Sequence, residues 1–291
     1  MITIGITAYK EEKVIGKCLD SILSQRIPFS YEIIVAAPDK RTLDVVKKYQ
    51  NKYKQIKIVQ DPGKGKPIAL NLIFKIARGD ILVLTDGDLF LGKNSIYHLI
   101  KHFSNKEVGC VSGKVIYQIK KGHLFYEWAK LSEKLFDKLR KSQAKEKKLW
   151  HPTGYLYAIK NNLIKQIPPN SLADDAVIGY LIYSKGYKIN YEPKAKVFVK
   201  FPRTISDFIK QKARTRAGIL QLKQFFSFKG RSLKEEISLS IKDVVKTYGI
   251  KKIFKMLLII FIYLIAWLKA YWFIYRKKSF KKIWQRIEST K

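Results

Sequence analysis

The segment Gly79-Asp-Ile-Leu-Val-Leu-Thr-Asp-Gly-Asp88 decides the fold. Residues 81–84 form a short, continuous apolar run, which is typical of a strand buried on both faces of a parallel sheet. Open α/β sheets bind ligands beyond the carboxyl ends of such strands, so we expect Asp86 and Asp88 at a functional edge. Two hard carboxylates, separated by a glycine that lets the backbone turn, suit a divalent cation that also binds phosphates. The alternative is an ordinary Asp-Gly β-turn.

Strand-like and helix-like patterns alternate around this segment. The alternation predicts βαβ units and an α/β fold in which a mostly parallel, doubly wound sheet is flanked by helices. The predicted strands are residues 2–6, 31–37, 56–59 and 81–84, and the predicted helices are 14–23, 43–49 and 68–77.

The second half of the chain is less regular. Its predicted strands are residues 108–115, 115–119, 155–159, 188–191 and 195–199, and its predicted helices are 124–139, 171–180 and 206–225. These patterns indicate a second, more irregular part that follows the parallel strands.

The charge balance is unusual for a globular chain. The 291 residues include 58 Lys and Arg against 23 Asp and Glu, a formal net charge of +35. Such a field attracts nucleic acid, anionic lipid or phosphorylated substrates, and charge alone does not choose among them. Two cysteines exclude a disulfide scaffold and fit a reducing compartment. Because the chain starts directly with a strand pattern, we expect the catalytic part to be cytosolic.

The last sixty residues differ from the rest. Residues 256–268 are unbroken apolar sequence and residues 270–275 continue it, with basic residues on both sides. We therefore predict a catalytic domain at 1–230 and a basic, apolar helical segment at 231–291 that associates with the cell membrane on its cytoplasmic side. A helix lying in the anionic surface is the favoured interpretation, and a single span or a buried core helix are the alternatives.

Several motifs occur in a distinctive order along the chain. Together they resemble those of family 2 glycosyltransferases, inverting enzymes of GT-A fold that use nucleotide-sugar donors. The resemblance covers about residues 1–221. The motifs are Thr7-Ala-Tyr-Lys-Glu-Glu12, Gly63-Lys-Gly-Lys66 before Ala69-Leu-Asn71, the Asp86-Gly-Asp88 triplet, Ala173-Asp-Asp175 and Gln211-Lys-Ala-Arg214.

The resemblance implies a reaction centre built from acids. Asp88 matches the family's contact to a divalent cation, Mn²⁺ or Mg²⁺, with Asp86 beside it and facing the ribose or sugar. Asp175 matches the general base, and Asp174 stands where a Glu is usual. Two adjacent carboxylates can raise the pKa of one of them, which suits a base. The alternative is that both acids only start a helix.

The resemblance also implies a set of donor-binding residues. Lys10 replaces the usual Asn of the first motif, and Asp39 lies two places after the usual base-binding acid. Thr215 replaces the Trp that follows the arginine in polymerising members, so we expect transfer of a single sugar. The predicted contacts to the nucleotide sugar are Thr7, Tyr9, Glu11, Asp39, Lys66, Asp86, Gln211 and Arg214.

These features predict a glycosyltransferase that moves one sugar from a nucleotide-diphosphate sugar to a lipid-linked or glycan acceptor. Two other functions compete with it. A nucleic-acid-binding protein would explain the charge, but basic residues are spread along every segment and the chain ends in an apolar helix, so we do not expect a nucleic-acid partner. A nucleotidyltransferase would explain Asp86-Gly-Asp88 but not Asp174-Asp175.

Overall fold

The structure is a computed structural model that describes residues 1–226 and 250–290. The chain forms two compact units. Unit 1 comprises residues 1–116 and 140–199, and unit 2 comprises residues 117–139 and the described part of 200–290. The predicted domain boundary at residue 230 lies outside the described residues and stays a prediction.

The first seven elements alternate as predicted. The predicted starts of the four strands are confirmed, while β1 and β3 end one residue later than predicted and β4 ends two residues later. The elements are β1 (Ile2–Thr7), α1 (Ile15–Leu23), β2 (Tyr31–Ala37), α2 (Lys40–Lys52), β3 (Ile56–Gln60), α3 (Lys66–Ile76) and β4 (Ile81–Asp86), of which β4 extends two residues past the apolar run.

The rest of the described chain adds strands and helices in a less regular order. These are β5 (Phe90–Leu91), α4 (Ser95–Ile100), β6 (Val108–Gln118), α5 (Tyr126–Lys145), β7 (Leu156–Lys160), α6 (Asp174–Ser184), β8 (Lys188–Lys200), α7 (Ile205–Phe226), α8 (Ile250–Tyr275) and α9 (Phe280–Ile283).

One eight-stranded sheet carries these strands in the order β3-β2-β1-β4-β7-β6-β8-β5. The pairs β3–β2, β2–β1 and β1–β4 are parallel, and β7 is antiparallel to both β4 and β6. The carboxyl ends of β1, β2, β3 and β4 therefore meet at one edge. This is the α/β arrangement that the alternating pattern predicted.

Two details of the predicted second half are wrong. Residues 108–119 and 188–199 were each expected to contain two strands, but each forms one long strand, β6 and β8. Pro193 lies within β8, although proline cannot donate a ladder hydrogen bond. The strand passes through it, and the neighbouring Lys194 amide donates to the Glu192 carboxylate at 2.9 Å instead.

Parallel strands β1, β2 and β4 are dry on both faces. Ile4, Ile33, Ile34 and Val83 have no exposed surface. Such burial explains why these strands read as continuous apolar runs and not as alternating patterns. It also makes the sheet a rigid base for whatever follows its strand ends.

Unit 2 has its own apolar core. Helices α7 and α8 pack on the first half of α5, and their shared core contains Phe125, Trp128, Phe208, Ile259 and Ile262. The phenyl rings of Phe125 and Phe208 stack with their centres 4.7 Å apart. This core uses only one side of α8.

The opposite side of α8 is apolar and exposed. Within the described residues, the stretch Leu257–Tyr275 has a mean hydropathy of 2.1 and is long and apolar enough to cross a membrane, with a third of it buried. Its exposed side chains recur three or four residues apart and so form one stripe: Leu257, Phe261, Ile265, Leu268, Trp272 and Tyr275. The described part of α8 is therefore not a wholly buried core helix, which was one of the alternatives.

A buried carboxylate closes the amino-terminal edge of the sheet. Glu32 accepts hydrogen bonds from Thr3 Oγ1 at 2.9 Å and from the Arg78 amide at 2.8 Å, and it pairs with Lys57 Nζ at 2.8 Å. Burial opposes ionisation, but Lys57 and these donors outweigh it and lower the pKa of Glu32. The Glu32 carboxylate on β2 thus connects β1, through Thr3, with β3, through Lys57, and with the segment before β4, through Arg78.

We predict that Glu32→Gln lowers the free energy of unfolding by about 1–3 kcal/mol, because a buried charged acceptor loses its pairing. Urea unfolding at pH 7 measures the loss. Because folding lowers the pKa of Glu32, the difference in unfolding free energy between Glu32→Gln and wild type should shrink as the pH falls below the ordinary glutamate pKa. Asp80→Asn is the control, because Asp80 is exposed and its carboxylate pairs with the N-terminal ammonium. Equal effects of both variants would contradict the prediction.

Candidate active site

The ends of β1 and β4 place the first site residues. Thr7 and Asp86 face each other in the parallel register, and Thr7 Oγ1 donates to Asp86 Oδ1 at 2.9 Å. The Gly87 amide then donates to the Thr7 carbonyl at 2.9 Å. The backbone therefore places Asp86 at the carboxyl end of a buried strand, as the sequence predicted.

Gly87 lies in a turn, as expected, and it is also closely packed. A Cβ at this position would lie 2.8 Å from Ala8 Cβ and 2.8 Å from Ile15 Cδ1. The glycine is required because the loop packs directly on the β1–α1 connection, and its φ does not lie in the left-handed region. Close packing thus fixes the backbone between Asp86 and Asp88.

Lys66 is the residue that connects the strand edge to the second acid motif. It begins α3 after Gly65, whose φ of 114° favours glycine. Its Nζ lies 2.7 Å from Asp86 Oδ1 and 3.4 Å from Asp174 Oδ2. Burial would lower the pKa of Lys66, but the charges of Asp174 and Asp86 outweigh burial and raise it well above its usual range. Lys64, by contrast, is exposed.

Asp174 and Asp175 occupy the first turn of α6. The N-cap residue is Ala173, so neither acid caps the helix through its side chain. Burial, and next the charge of Asp174, raises the pKa of Asp175 to about 6, while Lys66 opposes the shift. A carboxyl with a pKa near neutrality is able to take a proton from an alcohol at physiological pH. The pair therefore has the properties expected of a base and a charged neighbour.

Gly154 leaves space for the base. A Cβ at Gly154 would lie 3.0 Å from Asp175 Oδ2 and 3.1 Å from its Cγ. Arg140 holds this segment by donating to the backbone oxygens of His151, at 3.0 Å, and Pro152, at 3.3 Å. The loop before β7 thus packs closely against the Asp175 carboxylate.

Tyr157 was missed by the sequence analysis. It lies on β7 opposite Leu84, is 1% exposed, and its hydroxyl has no hydrogen-bond partner within the described residues. Burial, and next the charges of Asp174 and Asp175, raises the pKa of Tyr157. The available signal was a tyrosine inside the otherwise apolar strand Leu156–Lys160, since a buried phenol normally requires a partner.

The predicted nucleotide contacts Glu11 and Asp39 form a second group. Asp39 accepts from the Lys10 amide at 2.7 Å and from the Thr42 amide at 3.0 Å, and Thr42 Oγ1 accepts from the Glu11 amide at 2.9 Å. Burial would raise the pKa of Asp39, but these hydrogen bonds outweigh burial and lower it. Asp39 therefore joins the β1–α1 and β2–α2 loops, and neighbouring Tyr9 is 41% exposed.

The remaining predicted contacts, Gln211 and Arg214, lie on α7 in unit 2. Thr215, which stands where the family motif has a Trp, donates back to the Gln211 carbonyl at 3.0 Å. The Arg214 guanidinium stacks on Trp284 instead, 4.7 Å from the ring centre. An aromatic partner for Arg214 thus comes from the C-terminal segment, a contact that local sequence does not indicate.

The acids at the strand edge suit a cation only in part. Within the part of the chain that the structure describes, no group of three His, Cys, Asp or Glu residues could hold a metal ion. Mg²⁺ and similar ions are commonly held by one or two carboxylates together with substrate phosphates. Asp88 and Asp86 therefore fit an ion whose other ligands come from a bound diphosphate.

Curated proteins of similar sequence carry glycosyltransferase names. The probable glycosyltransferase YdaM of Bacillus subtilis (strain 168) is 28% identical over 249 residues, 80% of this chain and 59% of that protein. The poly-beta-1,6-N-acetyl-D-glucosamine synthase of Staphylococcus aureus (strain COL) is 23% identical over 233 residues, 78% of this chain and 57% of that protein. The chain thus spans less than two thirds of these relatives.

Solved structures share the fold. The mannosyltransferase PcManGT of Pyrobaculum calidifontis, in complex with GDP-Man and Mn²⁺, has a TM-score of 0.68 at 18% identity and covers 93% of this chain and 87% of its own. S. aureus TarS 1–349 with UDP-GlcNAc has a TM-score of 0.54 at 18% identity, over 75% of this chain and 66% of its own. The GT-A-type α/β fold is therefore confirmed.

The family model for glycosyl transferase family 2 matches residues 3–167, more than half of the 291 residues. The matched region contains β1 to β7, the Asp86-Gly-Asp88 edge and Lys66. The chain belongs to glycosyl transferase family 2.

Proposed function

We propose that this protein is an inverting glycosyltransferase that moves one sugar from a nucleotide-diphosphate sugar to a lipid-linked or glycan acceptor by direct displacement. The observation that carries the proposal is the position of Lys66, whose ammonium contacts both Asp86 and Asp174. The strand-edge acid and the helix-start acids, about 90 residues apart in sequence, thereby belong to one cluster. A single displacement needs a charged donor site and a base within one such cluster.

The donor diphosphate is assigned to the carboxyl edge of β1 and β4. Asp88 and Asp86 would hold Mn²⁺ or Mg²⁺, and a bound ion of this kind supplies positive charge against the growing charge of the leaving nucleotide. Lys66 adds a second cation, already desolvated, beside Asp86. PcManGT is seen with GDP-Man and TarS with UDP-GlcNAc, so GDP and UDP sugars are the donors to test first.

Base contacts are assigned to the loops after β1 and β2. Asp39 and Glu11 are fixed there by hydrogen bonds to Thr42 and Lys10, and Thr7 is fixed by Asp86. Rigid loops at a strand edge lower the entropy cost of binding a nucleotide. Tyr9, which is exposed beside them, is available to cover the bound base or ribose. The roles of Gln211 and Arg214 in holding the donor remain part of this proposal.

Asp175 is assigned as the general base and Asp174 as its charged neighbour. Lys66 pairs with Asp174 at 3.4 Å, and the charge of Asp174 favours the proton on Asp175 once it has been taken up. The proton of the acceptor hydroxyl would move to an Asp175 oxygen as the hydroxyl oxygen attacks the anomeric carbon. Gly154 keeps a side chain away from that carboxylate, because a Cβ there would lie 3.0 Å from Asp175 Oδ2.

Membrane attachment is assigned to α8. Its exposed apolar stripe runs from Leu257 to Tyr275, about 27 Å at helical rise, while its other side packs in the core of unit 2. A helix with one side committed to protein fits a position in the membrane surface better than a solitary span. The basic residues at 276–278 and 281–282 complement anionic headgroups on the cytoplasmic side.

We predict that Asp175→Asn lowers kcat by about 10²–10⁴-fold, the range for loss of a positioned general base. Release of nucleotide from labelled UDP and GDP sugars, with membrane lipid and Mn²⁺, measures it. Asp44→Asn, an exposed acid on α2, is the matched control and should behave as wild type. Near-normal transfer by Asp175→Asn would falsify the assignment of the base.

We predict that kcat/KM falls as pH drops below about 6, because Asp175 must be ionised to accept a proton. The charges that act on the pKa of Asp175, and so set where the rate falls, are Asp174, which raises it, and Lys66 and Arg140, which lower it. Since the folded pKa exceeds the ordinary 3.8, this carboxyl stabilises the fold most below that value, and its contribution is lost as pH rises through about 6. A flat rate profile between pH 5 and 8 would contradict this.

We predict that Asp88→Asn weakens Mn²⁺-dependent binding of UDP or GDP by about 10–100-fold, the cost of losing one charged ligand. Calorimetric titration with and without Mn²⁺ measures it, and Asp44→Asn again serves as control. If Mn²⁺ changes nucleotide affinity equally in Asp88→Asn and in wild type, Asp88 does not contact the ion.

We predict that Leu268→Glu weakens binding to anionic phospholipid vesicles by about 10–100-fold, because a 71%-exposed leucine would no longer enter the lipid. Vesicle flotation at low and high salt measures it. Phe29→Glu is the control, since Phe29 is 56% exposed in unit 1 outside the stripe. Equal binding of the two variants would rule out the stripe as the attachment face.

A further inference from the structure

Two buried polar atoms of unit 1 lack hydrogen bonds within the described residues. Asp174 Oδ2 and the Tyr157 hydroxyl are both inaccessible to solvent, and neither makes a hydrogen bond there. Asp174 Oδ2 has the 3.4 Å ion pair with Lys66. Native structures give almost all such groups a hydrogen bond, so these two need a functional or structural reason.

The two groups lie on elements that face each other. Tyr157 is in register with Leu84 on β4 and with Ser112 on β6, and Leu84 points to the same face of the sheet as Gly5 and α3. Lys66 and Asp174 start the helices on that face. Among the charges that act on the Tyr157 hydroxyl, Asp174 is the foremost, and together with burial it raises the pKa of Tyr157, so the phenol stays a hydrogen-bond donor.

Lys66 serves two carboxylates with one ammonium. It is 2.7 Å from Asp86 and 3.4 Å from Asp174, so the contact with Asp174 is the weaker of the two. A donor diphosphate at the strand edge would attract the ammonium further toward the β4 side. Asp174 Oδ2 would then be a buried carboxylate oxygen whose ion pair with Lys66 is lost, which is a costly state.

We propose that the Tyr157 hydroxyl donates to Asp174 Oδ2 during turnover, when Lys66 moves toward the donor diphosphate, and thereby keeps the adjacent Asp175 aligned as the base. Tyr157 is in this sense a positioning residue: it acts through Asp174 and does not touch the reacting atoms. The inference rests on the proposed function, because it needs a diphosphate at Asp86 and a base at Asp175. It explains why an orphan hydroxyl is kept in the core of β7.

The test is Tyr157→Phe in the full chain, which removes one oxygen and keeps the ring. A hydroxyl that bonds only during turnover contributes nothing to the resting fold, so the thermal midpoint should be unchanged or higher. kcat should fall about 10–100-fold, the worth of a hydrogen bond to a charged group, with an unchanged KM for the nucleotide sugar. The acid limb of the rate profile should move to higher pH, because an undonated Asp174 holds the proton on Asp175 more tightly.

Tyr49→Phe is the matched control with the opposite pattern. The Tyr49 hydroxyl donates to Asp20 Oδ1 at 2.8 Å on the outer helices, so its loss should lower the thermal midpoint and leave kcat unchanged. The proposal is overturned if Tyr157→Phe keeps the wild-type kcat and pH limb. A lower midpoint in Tyr157→Phe also overturns it, because the hydroxyl would then have a resting partner, such as a structural water.

The two proposals fail in different ways. If wild-type protein turns over a nucleotide sugar and Tyr157→Phe matches it, only the role of Tyr157 falls. If wild-type protein neither binds nor turns over UDP or GDP sugars, the proposed function falls and takes the role of Tyr157 with it.

Discussion

The candidate site depends on one buried ammonium shared by two carboxylates. Lys66 lies between Asp86 at the end of β4 and Asp174 at the start of α6, and none of the three charges is well exposed. Removing a lysine from water is expensive, and only close opposite charges offset the cost. The two acids do so, which explains why a lysine is tolerated inside a unit whose sheet is otherwise dry. Removing Lys66 would leave two carboxylates there without this cation, whereas removing either acid would leave the lysine paired with the other.

This arrangement gives the two adjacent acids different properties. Asp174 pairs with Lys66, while burial and the like charge of Asp174 raise the pKa of Asp175 to about 6. Pairs of carboxylates whose environments differ in this way are how proteins separate an ionised group from a titrating one. The rigid β1–β4 edge, with Gly87 packed on Ala8, keeps the geometry constant. The stable sheet thus holds in place a group of buried charges that are costly to remove from water.

Much of unit 1 could be predicted from sequence alone. Buried parallel strands are apolar on both faces, so residues 2–6, 31–37 and 81–84 are recognisable from composition. The acid at the end of β4 follows from its position after such a strand. The errors lie in the second half, where residues 108–119 and 188–199 were each divided into two strands but each region forms one. Gly87 lies in a turn as expected, but its close packing on Ala8 and Ile15 depends on contacts that the local sequence does not show.

The sequence by itself determined the order of strands and helices, the acids at their ends and the apolar character of residues 257–275, because these depend on periodicity and neighbouring residues. The tertiary structure decided which charges meet. Lys66 and Asp174 are 108 positions apart, and no local pattern reports whether an ammonium is shared, which acid of a pair is desolvated, or whether Tyr157 lacks a partner. It also decided that α8 is buried on one side only. Long-range packing sets these properties, because burial and charge act through space and not along the chain.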